Sequence, residues 1–148
     1  VYRRPANLFV ANFIGGSNFL EGIVTSRDNR GSWISLRENL QVRTGDPDRL
    51  PDESVVVAIR EEKVKVSKLK SGGVNVLRGK VLSSRFLGPF IRYEVRLTNG
   101  DVIRSKILIS EQRRMIPAGE EVYVHFKPGD TIVYQYPTLG LYRELEVI

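Results

Sequence analysis

One histidine, His125, is the whole imidazole complement of this sequence, so any Ser–His–Asp arrangement would have to be built around it. The alternation Val122-Tyr123-Val124-His125-Phe126 sets it on the strand face opposite Val124 and Phe126, where a surface or barrel-rim side chain is expected. Cysteine is absent, which excludes a thiolate metal site, a cysteine nucleophile and disulfides together. The carboxylate pairs Glu61-Glu62, Glu120-Glu121 and Asp46 with Asp48 read as turn or strand-edge charges, and none has the spacing of a calcium loop. A phosphate cradle needs G-x-x-x-x-G-K-[ST], whose backbone amides and lysine neutralise phosphates while the hydroxyl holds magnesium. The nearest string runs from Gly73 to Val81, where the glycines are one residue too far apart and Val81 stands in place of the hydroxyl. Its valine alternation marks a strand. Neither a catalytic group nor a cofactor or metal site is expected in this chain.

Binding chemistry has more to work with. The net charge is +6, from 23 Lys and Arg against 17 Asp and Glu, which suits an anionic partner. Signs are mixed along Arg60-Glu61-Glu62-Lys63 and across Arg92, Glu94 and Arg96, and are one-sided only at Arg113-Arg114 and at Arg104 with Lys106. Trp33, Phe86, Phe90, Tyr93 and Tyr123 lie in sequence near Arg85, Arg92 and Arg96, residue types that stack and neutralise single-stranded nucleic acid. However, Tyr93 falls on the apolar face of its strand, and Phe86-Leu87-Gly88-Pro89-Phe90 is expected to form a tight apolar turn packed on the end of a barrel. Nucleic acid is therefore not the expected partner. The candidate interface or anion-contact residues are Phe86, Leu87, Gly88, Arg92 and Tyr93, with Arg113 and Arg114 in a polar loop.

These residues must be positioned by strands. Beyond Gly22 the pattern has period two, rich in Val, Ile and Tyr and punctuated by turn residues. Ile91, Tyr93, Val95 and Leu97 share one face while Arg92, Glu94 and Arg96 share the other, and Asn99-Gly100 predicts a two-residue hairpin turn. Gly22-Ile23-Val24 matches Gly79-Lys80-Val81 at an offset of 57 (79 minus 22), and the segment from Val55 resembles the one from Val122 at an offset of 67 (122 minus 55). A duplicated small unit whose second copy carries about ten extra residues explains both offsets. At 148 residues with 41% hydrophobic content, one core could bury roughly two-thirds of the unfolded surface, whereas each half alone is marginal. The halves should pack together or share strands.

The fold class is thus all-β, an OB-like barrel built from two related segments. The expected organisation is a tail helix and linker over 1–17, a first segment over 18–67, a linker over 68–73 and a second segment over 74–148. In the tail, Pro5 suits a first helical turn, and Leu8, Phe9, Phe13 and Ile14 recur at near-helical spacing until Gly15-Gly16. No apolar run approaches the ~20 residues a membrane span requires.

Tyr2, Pro5, Phe9, Val10, Phe13, Ile14 and Gly15, followed by Asn18-Phe19-Leu20-Glu21-Gly22, resemble the junction in ABC importer ATPases of the maltose, polyamine and ferric-iron type. There the ATP-binding domain leads into a C-terminal TOBE-type regulatory domain. The resemblance continues in order. N-F-L-E-G-x-V is met by Asn18 to Val24, and I-R-P-E by Ile59-Arg60-Glu61-Glu62, with Glu61 in place of proline. G-x-V, F-L-G and x-N-G are met by Gly79 to Val81, Phe86 to Gly88 and Tyr93 to Gly100. V-x-V-x-F-x-P-x-D is met by Val122, Val124, Phe126, Pro128 and Asp130. The echo of the LSGGQ signature at Leu69-Lys70-Ser71-Gly72-Gly73-Val74 is broken by Lys70 and Val74. The resemblance implies a non-catalytic regulatory and dimerisation module coupled to ATP-driven solute uptake. ATP and magnesium are then expected in a preceding domain, and no cofactor in this chain. Expected partners are the nucleotide-binding domain of the same chain, a second copy in a homodimer and, indirectly, the permease. The expected place is the cytoplasm, peripheral at the inner face of the cell membrane. The alternative is a free-standing OB module that binds single-stranded nucleic acid or a small oxyanion.

Overall fold

A computed structural model describes residues 16–112 and 114–136. The tail helix expected over 1–17 falls almost wholly outside the described residues, and Ser17 is already the first residue of a strand. Among the described residues, ten strands form two antiparallel sheets of five. The first half contributes β1 (Ser17–Asp28), β2 (Gly31–Leu36), β3 (Gln41–Thr44), β4 (Ser54–Arg60) and β5 (Lys65–Ser67). The second contributes β6 (Asn75–Leu87), β7 (Phe90–Leu97), β8 (Val102–Leu108), β9 (Glu121–Phe126) and β10 (Thr131–Gln135). The sheet orders are β10-β4-β1-β2-β3 and β5-β9-β6-β7-β8. The last strand of each half is therefore exchanged into the other half's sheet. The two sheets enclose one core, which runs from Leu20, Val24 and Ile34 in the first to Tyr93, Val95 and Val124 in the second.

The duplication legible in the offsets is repeated atom by atom. At 57 residues' separation (81 minus 24), Val24 and Val81 precede a register shift in β1 and in β6. The Val24 N–H donates to the Glu53 carbonyl at 2.9 Å and the Val81 N–H to that of Glu120 at 3.0 Å. Gly22 and Gly79 stand two residues before those register shifts. A Cβ on Gly22 would lie 2.6 Å from Ile34 Cγ2 and 2.8 Å from the Ser35 carbonyl oxygen, and one on Gly79 would lie 2.6 Å from Val95 Cγ1 and 2.8 Å from the Arg96 carbonyl oxygen. Only glycine lets the neighbouring strand come that close.

Two buried asparagines tie the halves together. Asn18, the second residue of β1, reaches the edge strand of the other sheet: Arg104 N–H donates to its Oδ1 at 2.7 Å, and its Nδ2 donates to the Arg104 carbonyl at 2.8 Å. Asn75, at the start of β6, does the same to Arg43 on β3, with distances of 2.7 and 2.8 Å. Both side chains are almost fully buried. Each amide thus satisfies backbone groups on a strand that is outermost among the described residues.

Two local expectations are corrected. The β7–β8 connection is a three-residue loop: Leu97 N–H bonds the Asp101 carbonyl at 2.8 Å, and Gly100, at φ 93°, is its only residue with positive φ. Asn99 is committed elsewhere, its Nδ2 donating to the Arg37 carbonyl at 3.1 Å and to Asp101 Oδ2 at 2.7 Å. That contact pins the loop to the first half and selects a type I turn with a bulge over the two-residue form. The Phe86–Phe90 segment does not pack on the barrel end. The ladder continues through Phe86↔Ile91 and Leu87↔Phe90, so the ribbon projects beyond the core with Phe86 62% exposed. Finally, Glu61 does what proline could not, donating its N–H to the Gly16 carbonyl at 3.0 Å while its carboxylate meets Arg92. The same turn in the second half does begin with proline, at Pro128.

Candidate functional site

The end of the second sheet carries most of the residues singled out from sequence. Phe86, Leu87 and Gly88 form the tip of the β6–β7 hairpin, and Gly88 turns it at φ 59°. Arg92 lies two residues beyond Phe90 on β7, opposite Arg85 on one side and Lys106 on the other. Its guanidinium meets the Glu61 carboxylate at 3.1 Å, with Glu61 buried and Arg92 partly so. The Lys106 ammonium stands 5.3 Å from the centre of the Phe90 ring, a cation–π distance.

Tyr93 is placed differently. Its side chain is fully buried, its hydroxyl is hydrogen-bonded with Gln112 and it accepts the Ile116 N–H at 3.0 Å. Gln112 in turn donates to the Val66 carbonyl at 3.0 Å. Tyr93 is thus the internal post on which the β8–β9 connection hangs, and it is brought together with none of the surface candidates. Burial raises its pKa above the usual phenol range. Arg114 is exposed in that same connection, and Arg113 lies outside the described residues.

No group of three or more metal-ligating side chains occurs among the described residues. His125 is half-buried on β9, and burial, then the Lys65 ammonium, holds its pKa below the ordinary imidazole value. The Arg43 guanidinium stands 5.6 Å from the centre of the Trp33 ring on the first sheet, whereas Phe86 and Phe90 belong to the second. Two clefts lie beside the paired glycines. One of about 470 Å³ is lined by Phe19, Glu21, Ile23, Arg37 and Asp101, and one of about 300 Å³ by Arg78, Lys80, Arg96, Thr98 and Glu121. The second holds the unlike charges Arg78 and Glu121 at 3.1 Å and sets Lys80 directly opposite Arg96. On the same sheet, burial raises the Glu94 carboxyl, but hydrogen bonds from Arg104 and Ser83 outweigh it and leave its pKa lowered.

Sequence reasoning missed Asn18, Asn75 and Glu61. The first two carried a signal, since both stand four residues before a paired glycine, at the same offset of 57 (75 minus 18).

Comparison with known proteins bears on these observations. Residues 57–133 match the family model of the TOBE domain. The chain is 33% identical over 139 residues to the Fe(3+) ions import ATP-binding protein FbpC of Fusobacterium nucleatum, covering 90% of this chain and 34% of that protein. It is 27% identical over 135 residues to the spermidine/putrescine import ATP-binding protein PotA of Thermobifida fusca, covering 90% and 35% respectively. The putrescine transport ATP-binding protein PotG of Escherichia coli is 28% identical, with 90% and 37% covered. The chain therefore spans about a third of the length of the curated relatives it matches. In three dimensions it resembles ModG, a cytoplasmic molybdate-binding protein, with a TM-score of 0.67 at 15% identity, over 80% of this chain and 95% of that one. At that identity the likeness concerns the OB-like fold alone. The chain belongs to the TOBE domain family, and its relatives in sequence are the ATP-binding subunits of ABC importers.

Proposed function

We propose that this chain is the regulatory and dimerisation domain of an ABC importer ATP-binding subunit, and that it contributes no catalytic group of its own. The observation that carries the reading is the pattern of coverage. Nine-tenths of this chain aligns with only about a third of each import ATP-binding protein, which leaves the remainder of such a subunit to hold ATP and magnesium. The partners are then the nucleotide-binding domain of the same polypeptide, a second copy of this domain and, through them, the permease. The site of action is the cytoplasmic face of the membrane. The fold suits such a role, because strands exchanged between two sheets and cross-bound by Asn18 and Asn75 make a rigid body that can hold two subunits in register.

The test is sedimentation equilibrium of the 148-residue chain, paired with an ATP hydrolysis assay in the presence of magnesium. Reversible dimerisation without ATP turnover is expected. ATP turnover by this chain alone would refute the non-catalytic assignment, and a monomer at every concentration would refute the dimerisation role.

A further inference from the structure

The two halves act as controls for one another, and they differ most at one place. In the first half the β1–β2 ladder ends at Asp28↔Gly31 and turns at once through Asn29 and Arg30. The corresponding pair in the second half is Arg85↔Arg92, at offsets of 57 (85 minus 28) and 61 (92 minus 31). There the ladder runs on through two further pairs, so four of the extra residues of the second copy are spent on lengthening this hairpin. β8 is lengthened to match, pairing Lys106 with Arg92 and Leu108 with Phe90. The fold itself does not need this extension, since the first half closes without it.

The extension carries two stripes across three strands. Leu87, Phe90 and Leu108 form an apolar row at the tip, with Leu87 41% and Leu108 38% exposed. Two residues back, about 7 Å along the strands, Arg85, Arg92 and Lys106 stand in register. Like charges directly opposite one another weaken a sheet. Arg92 pairs with Glu61, and the Lys106 charge acts on Glu62, which itself pairs with Arg60, so Arg85, Arg92, Lys106 and Arg60 against two carboxylates leave this end at +2 (4 minus 2).

The matching end of the first half is the reverse in sign. The loop after β3 holds Asp46, Asp48, Asp52 and Glu53 around an exposed Leu50, and Arg27 Nη1 bonds the Pro47 carbonyl at 3.2 Å, which ties the loop to the β1–β2 end. Arg49 engages Asp46 and Glu53 at 3.3 and 3.2 Å, so four carboxylates against the two guanidiniums of Arg27 and Arg49 leave −2 (2 minus 4). Asp48 and Asp52 are exposed and without a cationic partner among the described residues.

We propose that the β6–β7–β8 end of one copy docks on the acidic loop 45–53 of a second copy, with Leu87 and Phe90 against Leu50, and Arg85 and Lys106 facing Asp48 and Asp52. This rests on the dimerisation reading and assigns its surface. Complementary sign and paired apolar residues occur on the two ends of one sequence, whereas a tip-to-tip contact would set three cations against three. Made reciprocally, the contact closes a two-fold dimer; made one way only, it would propagate.

Sedimentation equilibrium of the chain and its surface variants tests the assignment, with thermal melts to show that each variant folds. Leu87→Asp is expected to weaken self-association at least about tenfold, as is the double variant Asp48→Lys/Asp52→Lys. Adding Arg85→Asp to that double variant should recover part of the lost affinity, as a direct charge pair requires. A wild-type dimer indifferent to Leu87→Asp overturns this surface and leaves the dimerisation reading intact. Sensitivity to Leu87→Asp with none to Asp48→Lys/Asp52→Lys overturns the second copy's loop as the occupant and points to another partner for the tip. A wild-type chain that stays monomeric overturns the underlying reading itself.

Discussion

Replacing Asn75 with alanine should reveal how much of the stability lies in the seam between the halves. The side chain is 1% exposed and makes two bonds to a single residue, accepting the Arg43 N–H at 2.7 Å and donating to its carbonyl at 2.8 Å. Alanine removes both and leaves a donor and an acceptor on β3 without partners, because β3 is outermost in its sheet among the described residues. Each lost bond is worth about 1 kcal/mol, and each stranded, partly buried group adds to that, so the combined loss should be about 3 kcal/mol. For a chain of this size that corresponds to a fall in Tm of about 6–12 °C. The assay is urea unfolding followed by fluorescence of Trp33, which lies on β2 next to Arg43, with hydrogen exchange of the Arg43 amide as a local readout. The amide should change from slow to fast exchange in the variant. A loss below about 0.5 kcal/mol, within the range of neutral surface substitutions, or an Arg43 amide that stays protected, would refute the claim that the asparagine amide holds this edge.

Gly79→Ala should destabilise by about 2–3 kcal/mol, because the new methyl meets Val95 Cγ1 at 2.6 Å and the Arg96 carbonyl oxygen at 2.8 Å; equal melting temperatures would show that β6 can move away. Arg92→Ala should cost about 2 kcal/mol by stranding the buried Glu61 carboxylate, less than a fully buried pair because Arg92 keeps 27% of its side chain in water; the double variant Arg92→Ala/Glu61→Gln should recover part of it in denaturant titrations. Stability should decline at both ends of the pH range. His125 has its folded pKa held below 6.5, so the unfolded chain takes the proton first and stability falls as pH drops through that value. Tyr93 has its folded pKa raised above 10.0, so the unfolded chain loses the proton first and stability falls as pH rises beyond it. His125→Gln should flatten the acid limb of a melting-temperature profile, and an unchanged limb would assign it to other groups.

How much could be read from the residues depended on the range of the interaction. The alternation of Ile91, Tyr93, Val95 and Leu97 is local, and all four are buried as their period requires. The repeats at 57 and 67 foretold a duplicated barrel because Gly22 and Gly79 face the same steric demand. That the halves pack together and share strands was legible from their size, but which strands are exchanged was not, since β5 and β10, of three and five residues, carry no mark of which sheet will pair them. Asn99-Gly100 looked like a two-residue turn because only the fold brings Arg37 within reach of Asn99. The Phe86–Phe90 segment was read as packed because apolar residues usually are. Its exposure follows from a ladder that outruns the core, which depends on the length of β8 as much as on its own sequence. Tyr93 was grouped with surface candidates by proximity in sequence to Arg92, although the strand period sends the two side chains to opposite faces.

The most direct test of the central claim is the intact mass and sequence of the native polypeptide in the cell. A polypeptide longer by about one further domain, roughly 200 residues with a G-x-x-x-x-G-K-[ST] phosphate cradle, is the outcome expected of a module that serves an ATP-binding subunit. A native polypeptide confined to these 148 residues would contradict it.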